Sequence, residues 1–213
     1  MNIVTSSLYR GSEWIMRFAW VQLLWLGFSL LGIILLGFFP STIAMFTVIR
    51  KWVMGQSDIP ILKTFWNTFK DEWVKSNLFG VLLTLIGLLI YVDLTLVNHS
   101  TDSFMQWSKY PMLLLVITFS LILLYAFPSY VHYNVNLLHV LKNSLFIMLV
   151  SPVYNMVMIL GLVVIFLIAN LLPPLLVFFG GSAIAFVIMW SCYKSFLSID
   201  RKKAKLKNLS NEP

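Results

Sequence analysis

From Asn143 to Tyr193 the chain contains no Asp, Glu, Lys or Arg, and a second uncharged run extends from Phe18 to Ile49. A helix needs about 20 apolar residues to cross the hydrocarbon core of a bilayer, and each run exceeds that. In hydrocarbon the backbone must satisfy its own hydrogen bonds, which a helix does within one segment. These runs therefore point to an all-α, polytopic transmembrane helical bundle. Composition agrees: 60% of residues are hydrophobic and 11% charged, against roughly 45–50% and about 25% in soluble domains. In water such a chain would expose patches that drive aggregation. The charged residues are confined to short stretches, which leaves a single membrane domain, 1–213, with the lipid bilayer as its first partner.

Five spans are expected, at about 18–39, 77–97, 110–133, 145–171 and 175–197. Pro40 divides the first uncharged run, because proline removes a backbone donor and clashes with the preceding turn. The expectation is a first span to residue 39, then a kinked continuation through Ser41 to Trp52. Between Ile61 and Lys75, Leu62, Phe65, Trp66, Phe69 and Trp73 recur at helical spacing, with Lys63, Asn67, Lys70, Asp71 and Glu72 elsewhere. That pattern predicts an amphipathic helix, 61–75, lying in the membrane interface. Pro152 breaks the first part of the fourth span, and Pro173–Pro174 separates it from the fifth.

The net charge of +7 does not suggest nucleic-acid binding, because the basic residues flank apolar spans and form no continuous face. Lysine and arginine set orientation instead. The basic tail, 201–213, places the carboxyl terminus in the cytoplasm, together with the loop carrying Arg50, Lys51, Lys63, Lys70 and Lys75. Five spans then put the amino terminus outside. A re-entrant hairpin at Pro40 would put it inside as well. The first apolar stretch is far longer than a signal-peptide core, so it is expected to stay in the mature protein. Cys192, the lone cysteine, lies in an apolar run and reads as a buried thiol.

Several sequence words carry a family likeness: Leu8-Tyr9-Arg10, Glu13-Trp14-Ile15-Met16-Arg17, Phe39-Pro40-Ser41-Thr42-Ile43-Ala44-Met45-Phe46, Arg50-Lys51-Trp52 and Phe65-Trp66-Asn67-Thr68-Phe69-Lys70. Together they resemble the YesL-like family of bacterial membrane proteins, a group classed as having a domain of unknown function. The words lie mostly in residues 8–80; beyond them the likeness is one of length and hydropathy. The resemblance implies a protein of the bacterial cytoplasmic membrane, from a family often encoded beside genes for carbohydrate import and polysaccharide breakdown. It supplies no catalytic residues.

Few residues invite chemistry. Asp93 is the one acid within an apolar span, read either as an interfacial acid reaching water or as a proton or cation site facing the bundle. Glu13 and Arg17 stand four apart, in the favourable order for a helical ion pair. Tyr130, Tyr154 and Asn155 follow the proline breaks at Pro128 and Pro152, where a broken helix can bind a solute through freed backbone groups. His132 and His139 stand seven apart, about 10 Å along a helix axis, too far to share one metal. No phosphate loop, His-Glu-x-x-His helix or Gly-x-Ser-x-Gly elbow occurs, so no enzyme, no metal and no cofactor is expected. The functional expectation is an accessory or partner protein for carbohydrate uptake, touching importer subunits through helix 61–75. The alternative is a small autonomous transporter or channel for a polar solute, which with so few spans would call for a homo-oligomer.

Overall fold

A computed structural model describes residues 3–99, 103–133 and 136–210. Among them are eight α-helices and no strand: α1 (Ile3–Leu31), α2 (Leu35–Val53), α3 (Ile61–Asp71), α4 (Trp73–His99), α5 (Ser103–His132), α6 (Leu137–Val150), α7 (Pro152–Leu171) and α8 (Gly181–Ser210), the last entered through a π-helical turn, Leu176–Gly180. By length and composition five segments suffice to cross a membrane: Gly11–Leu31, Trp73–His99, Trp107–His132, Pro152–Leu171 and Leu176–Arg201. The most apolar windows of α4 and α7 are only 11% buried within the fold. Their leucine- and valine-rich faces are thus left to hydrocarbon, where such a surface costs nothing.

The hub is α2. It packs against α1, α3, α4, α5 and α8, and most of its residues from Pro40 to Trp52 are buried. Its pairing with α1 is antiparallel: Trp25 Nε1 donates to Thr42 Oγ1 at 3.1 Å, and the rings of Trp14 and Trp52 meet edge to face at 5.6 Å. Glycines set this close approach. A Cβ on Gly37 would lie 2.6 Å from the Ser29 carbonyl oxygen, so only glycine fits there. On the other side α8 runs antiparallel to α1. Phe186 meets Phe18 at 5.3 Å, and the buried Gln22 accepts the Ser182 backbone N–H at 2.8 Å. That bond satisfies one of the orphan donors at the start of α8.

The chain reverses at Gly32–Ile34 and not at Pro40. The turn holds Ile33 and Ile34 at φ 56° and 52°, a strained region for β-branched residues. Pro40 sits inside α2. The expected kinked continuation is therefore a separate helix of 19 residues, about 28 Å long at 1.5 Å per residue, which carries the chain back along α1. Arg17 Nη1 donates to the Ser57 carbonyl at 2.6 Å, so the start of α1 and the loop after α2 lie at one end of the bundle. This packing brings the start of α1 beside the loop after α2, as an antiparallel hairpin of α1 and α2 requires.

Two further boundaries differ. The amphipathic helix ends at Asp71, and Trp73 and Lys75 belong to α4. Residues 145–150 belong to α6, and α7 starts at Pro152, where a first-turn proline loses no helical hydrogen bond. The basic tail is helical as far as Ser210. Residues 211–213 of the tail, 100–102 of the polar loop and 134–135 of the Asn134–Asn136 turn lie outside the described residues.

Candidate functional site

Three helices each carry a polar group seven residues after a fully buried apolar one. Ile43 leads to Arg50 on α2, Phe65 to Glu72 at the end of α3, and Tyr125 to His132 on α5; Ile43 is 1% exposed, Phe65 and Tyr125 0%. Seven residues are nearly two helical turns, so Arg50 and His132 lie on the buried faces of their helices, and Glu72, the residue that caps α3, follows the same line. The three faces converge on a cavity of about 390 Å³ lined by Arg50, Asp71, Glu72, Tyr130, His132 and Tyr133. Thr47 and Thr68 complete its polar wall, and Ile43 and Val131 are part of its apolar wall. An adjoining cavity of about 320 Å³ shares Glu72, Tyr130 and Tyr133 and adds Lys75 and Asn136. Asp71, Lys75 and Asn136 are exposed, so both cavities open between the α3–α4 junction and the α5–α6 turn.

Within this site one bond joins two helices. The Tyr130 hydroxyl donates to Glu72 Oε2 at 2.6 Å, which fixes the carboxylate against α5. Arg50 forms no ion pair within 4 Å among the described residues, and its Nε is buried without a hydrogen-bond partner. The Nδ1 of His132 is in the same condition; its ring stacks on Phe196 at 4.4 Å. Burial, and then the nearby Asp200 carboxylate, push the Tyr133 phenol above its ordinary pKa, so it stays protonated and able to donate. Among the described residues no three His, Cys, Asp or Glu side chains converge as a metal site.

Of the residues singled out from the sequence, Tyr130 lines the cavity. Asn155 acts elsewhere. Its Oδ1 accepts from the Tyr125 hydroxyl at 2.5 Å, and its Nδ2 donates to the Met148 carbonyl at 2.9 Å. It thereby ties α7 to α5 and α6 across the Ser151–Pro152 break. Tyr154 is half-buried beside it, away from both polar cavities. Asp93 is exposed on α4, so it does not face the bundle interior. Glu13 and Arg17 pair at 2.5 Å, and Arg17 also reaches Asp58 at 3.2 Å, making a clasp between α1 and the loop after α2. Sequence reasoning misses Arg50, Glu72 and His132 because each stands near a span end or on a polar helix face. The seven-residue spacing from a buried ring or isoleucine is the signal that could find them.

Comparison with known proteins places this architecture. The family model described as "Protein of unknown function, DUF624" matches residues 18–94, which include Arg50, Asp71 and Glu72 but not α5. The chain is 31% identical over 207 residues to the uncharacterized protein YesL of Bacillus subtilis (strain 168), covering 97% of this chain and 98% of the relative. The chain belongs to the YesL-like family. It is also 37% identical to the uncharacterized protein YteU of the same organism, covering 91% of this chain and 87% of the relative. With the uncharacterized protein YesV it shares 34% identity over 91% of this chain and 93% of the relative. No solved structure matches this YesL-like chain. The likeness extends over nearly the whole length, so the α5 residues of the cavity fall within the matched region even though the family model stops before them.

Proposed function

We propose that this YesL-like membrane protein is a non-enzymatic accessory protein for carbohydrate uptake, which receives a solute or an importer subunit at the end of the bundle around Glu72. The cavity between α2, α3 and α5 carries this reading: it is polar, open at one end and bounded inward by buried Ile43. Such a shape suits reception better than conduction. Beside it, α3 buries Phe65 and Phe69 and exposes Lys63, Asn67 and Lys70 together with Leu62 and Trp66, a mixed polar and apolar surface suited to a partner. The same end gathers Arg17, Arg50, Lys51 and Lys75, and by the lysine and arginine rule we assign it to the cytoplasm, with both termini.

The transporter reading finds no comparable support. Its polar path would run past Asp93 and the proline breaks; Tyr130, after the Pro128 break, lines both polar cavities, but Asp93 is exposed on α4 and lines neither. The partner reading is tested by mild-detergent copurification from native membrane, together with sugar uptake in a deletion strain. Recovery of importer subunits and slowed uptake are the expected results. Absence of those subunits with unchanged uptake would remove the proposal.

A further inference from the structure

We infer that the Arg50–Glu72–His132 cavity binds a small hydroxylated oxyanion, with the anionic group on Arg50 and a hydroxyl on Glu72. This deepens the reading of that cavity as the working site and rests on it.

The first ground is an uncompensated cation. Arg50 has no ion pair among the described residues, although Asp71 and Glu72 line the same space. A guanidinium normally meets a carboxylate or phosphate through its planar fork. Here the carboxylates stand back across the cavity, Asp71 towards solvent and Glu72 bonded to Tyr130. The second ground is two orphaned nitrogens. Arg50 Nε and His132 Nδ1 are buried without partners and belong to residues on the same wall. A buried donor left unmade carries a substantial penalty, larger for a charged group. An oxyanion seated against this wall offers compensating charge to the guanidinium, and direct bonds to these two nitrogens, which have almost no surface open to the cavity, require Arg50 and His132 to turn.

The third ground selects hydroxyls. Against Glu72 itself a bare anion would meet only repulsion. A hydroxyl on the same molecule instead donates to the Glu72 oxygen that Tyr130 does not occupy, and the Tyr133 phenol stands ready to donate in turn. The cavity of about 390 Å³ falls within the usual size range of small-molecule sites, about 300–1,000 Å³. A free hydroxylated acid or phosphate ester and the headgroup of phosphatidylglycerol share this chemistry, and the cavity's place at one end of a membrane bundle admits either.

The test uses the full chain in nanodiscs, followed by tryptophan fluorescence and thermal shift. Glycerol 3-phosphate and glycerate are the free oxyanions, and glycerol is the neutral control. Nanodiscs of phosphatidylglycerol and of phosphatidylcholine form the lipid arm. We expect at least one free oxyanion, or phosphatidylglycerol alone, to stabilise the protein while glycerol does not. Arg50→Gln should weaken that effect at least about tenfold, the scale of a charge-assisted hydrogen bond, and Arg50→Lys should restore part of it. His132→Asn serves as a second variant should Arg50→Gln fail to fold. A response to the free anions identifies a soluble ligand; a response to phosphatidylglycerol alone identifies a headgroup. No response to any oxyanion, equal response to glycerol, or a response unchanged in Arg50→Gln overturns the inference. Importer copurification is independent of this assay, so the partner reading can stand when this one falls.

Discussion

Asn77 on α4 donates its side-chain amide to the carbonyl of Leu36 on α2 at 3.0 Å. Leu36 stands four residues before Pro40, so its carbonyl is the acceptor that a helical N–H at residue 40 would otherwise use. The proline remains inside α2 because a neighbouring helix replaces the missing donor, as membrane helices require. The same amide donates to the Trp73 carbonyl at 2.7 Å.

A double-mutant cycle measures this replacement. Asn77→Ala should cost about 1–3 kcal/mol with Pro40 present, the penalty of an unsatisfied polar group. In a Pro40→Ala background residue 40 regains its N–H, and Asn77→Ala should cost clearly less, with a coupling of about 1 kcal/mol. Thermal unfolding in detergent reads both. Equal costs in the two backgrounds would mean that Asn77 acts only through Trp73.

Gly80 and Gly37 both sit at close helix contacts, but against different atoms. A Cβ on Gly80 would run into the Phe39 ring, whereas one on Gly37 would meet the backbone oxygens of Ser29 and Phe28 at 2.6 and 2.7 Å. Gly80→Ala should destabilise by about 1–3 kcal/mol, the usual cost of overpacking, and Phe39→Leu should recover part of it. Gly37→Ala should be at least as damaging, and no single side-chain change should rescue it. Rescue of Gly37→Ala by a neighbouring truncation would contradict the close approach of α1 and α2.

The bond from Tyr130 to Glu72 joins α5 to the α3–α4 junction. Tyr130→Phe leaves a half-buried carboxylate short of a donor and should cost about 1.5–3 kcal/mol, the range for hydrogen bonds to charged groups. Glu72→Gln keeps an acceptor for the hydroxyl and should cost less. Unfolding of the two variants side by side checks the order. A Tyr130→Phe protein as stable as the parent would show that this bond does not hold the cavity wall.

The helices are legible in the sequence because hydrocarbon imposes a length and a composition that two uncharged runs display openly. The return of the chain at Gly32–Ile34 is not, because that turn contains no polar residue: Leu31, Ile33, Ile34 and Leu35 continue the apolar pattern while the backbone reverses. Pro40 offers the louder signal and misleads, since Asn77, distant in sequence, repairs its defect. The site is half legible. Tyr130 follows from its proline break, whereas Arg50, Glu72 and His132 meet only through the packing of α2, α3 and α5, which their seven-residue spacings hint at but do not fix.

The clasp at Arg17 yields a test of the α1–α2 hairpin. Arg17 is 17% exposed at its side chain and touches Glu13, the Ser57 carbonyl and Asp58, whereas Asp58 is 92% exposed. A pair with so exposed a partner is screened and should contribute only about 0–1 kcal/mol, so Asp58→Ala should be nearly silent. Arg17→Ala also loses the Ser57 carbonyl and should cost more. The clasp holds Gly11 and Gln56, both exposed, at one end of the bundle. In a Cys192→Ser background, Gly11→Cys and Gln56→Cys should therefore react with an impermeant thiol reagent from the same side of oriented vesicles. Labelling from opposite sides would mean that α2 does not bring the chain back and that the amino terminus lies on the far face.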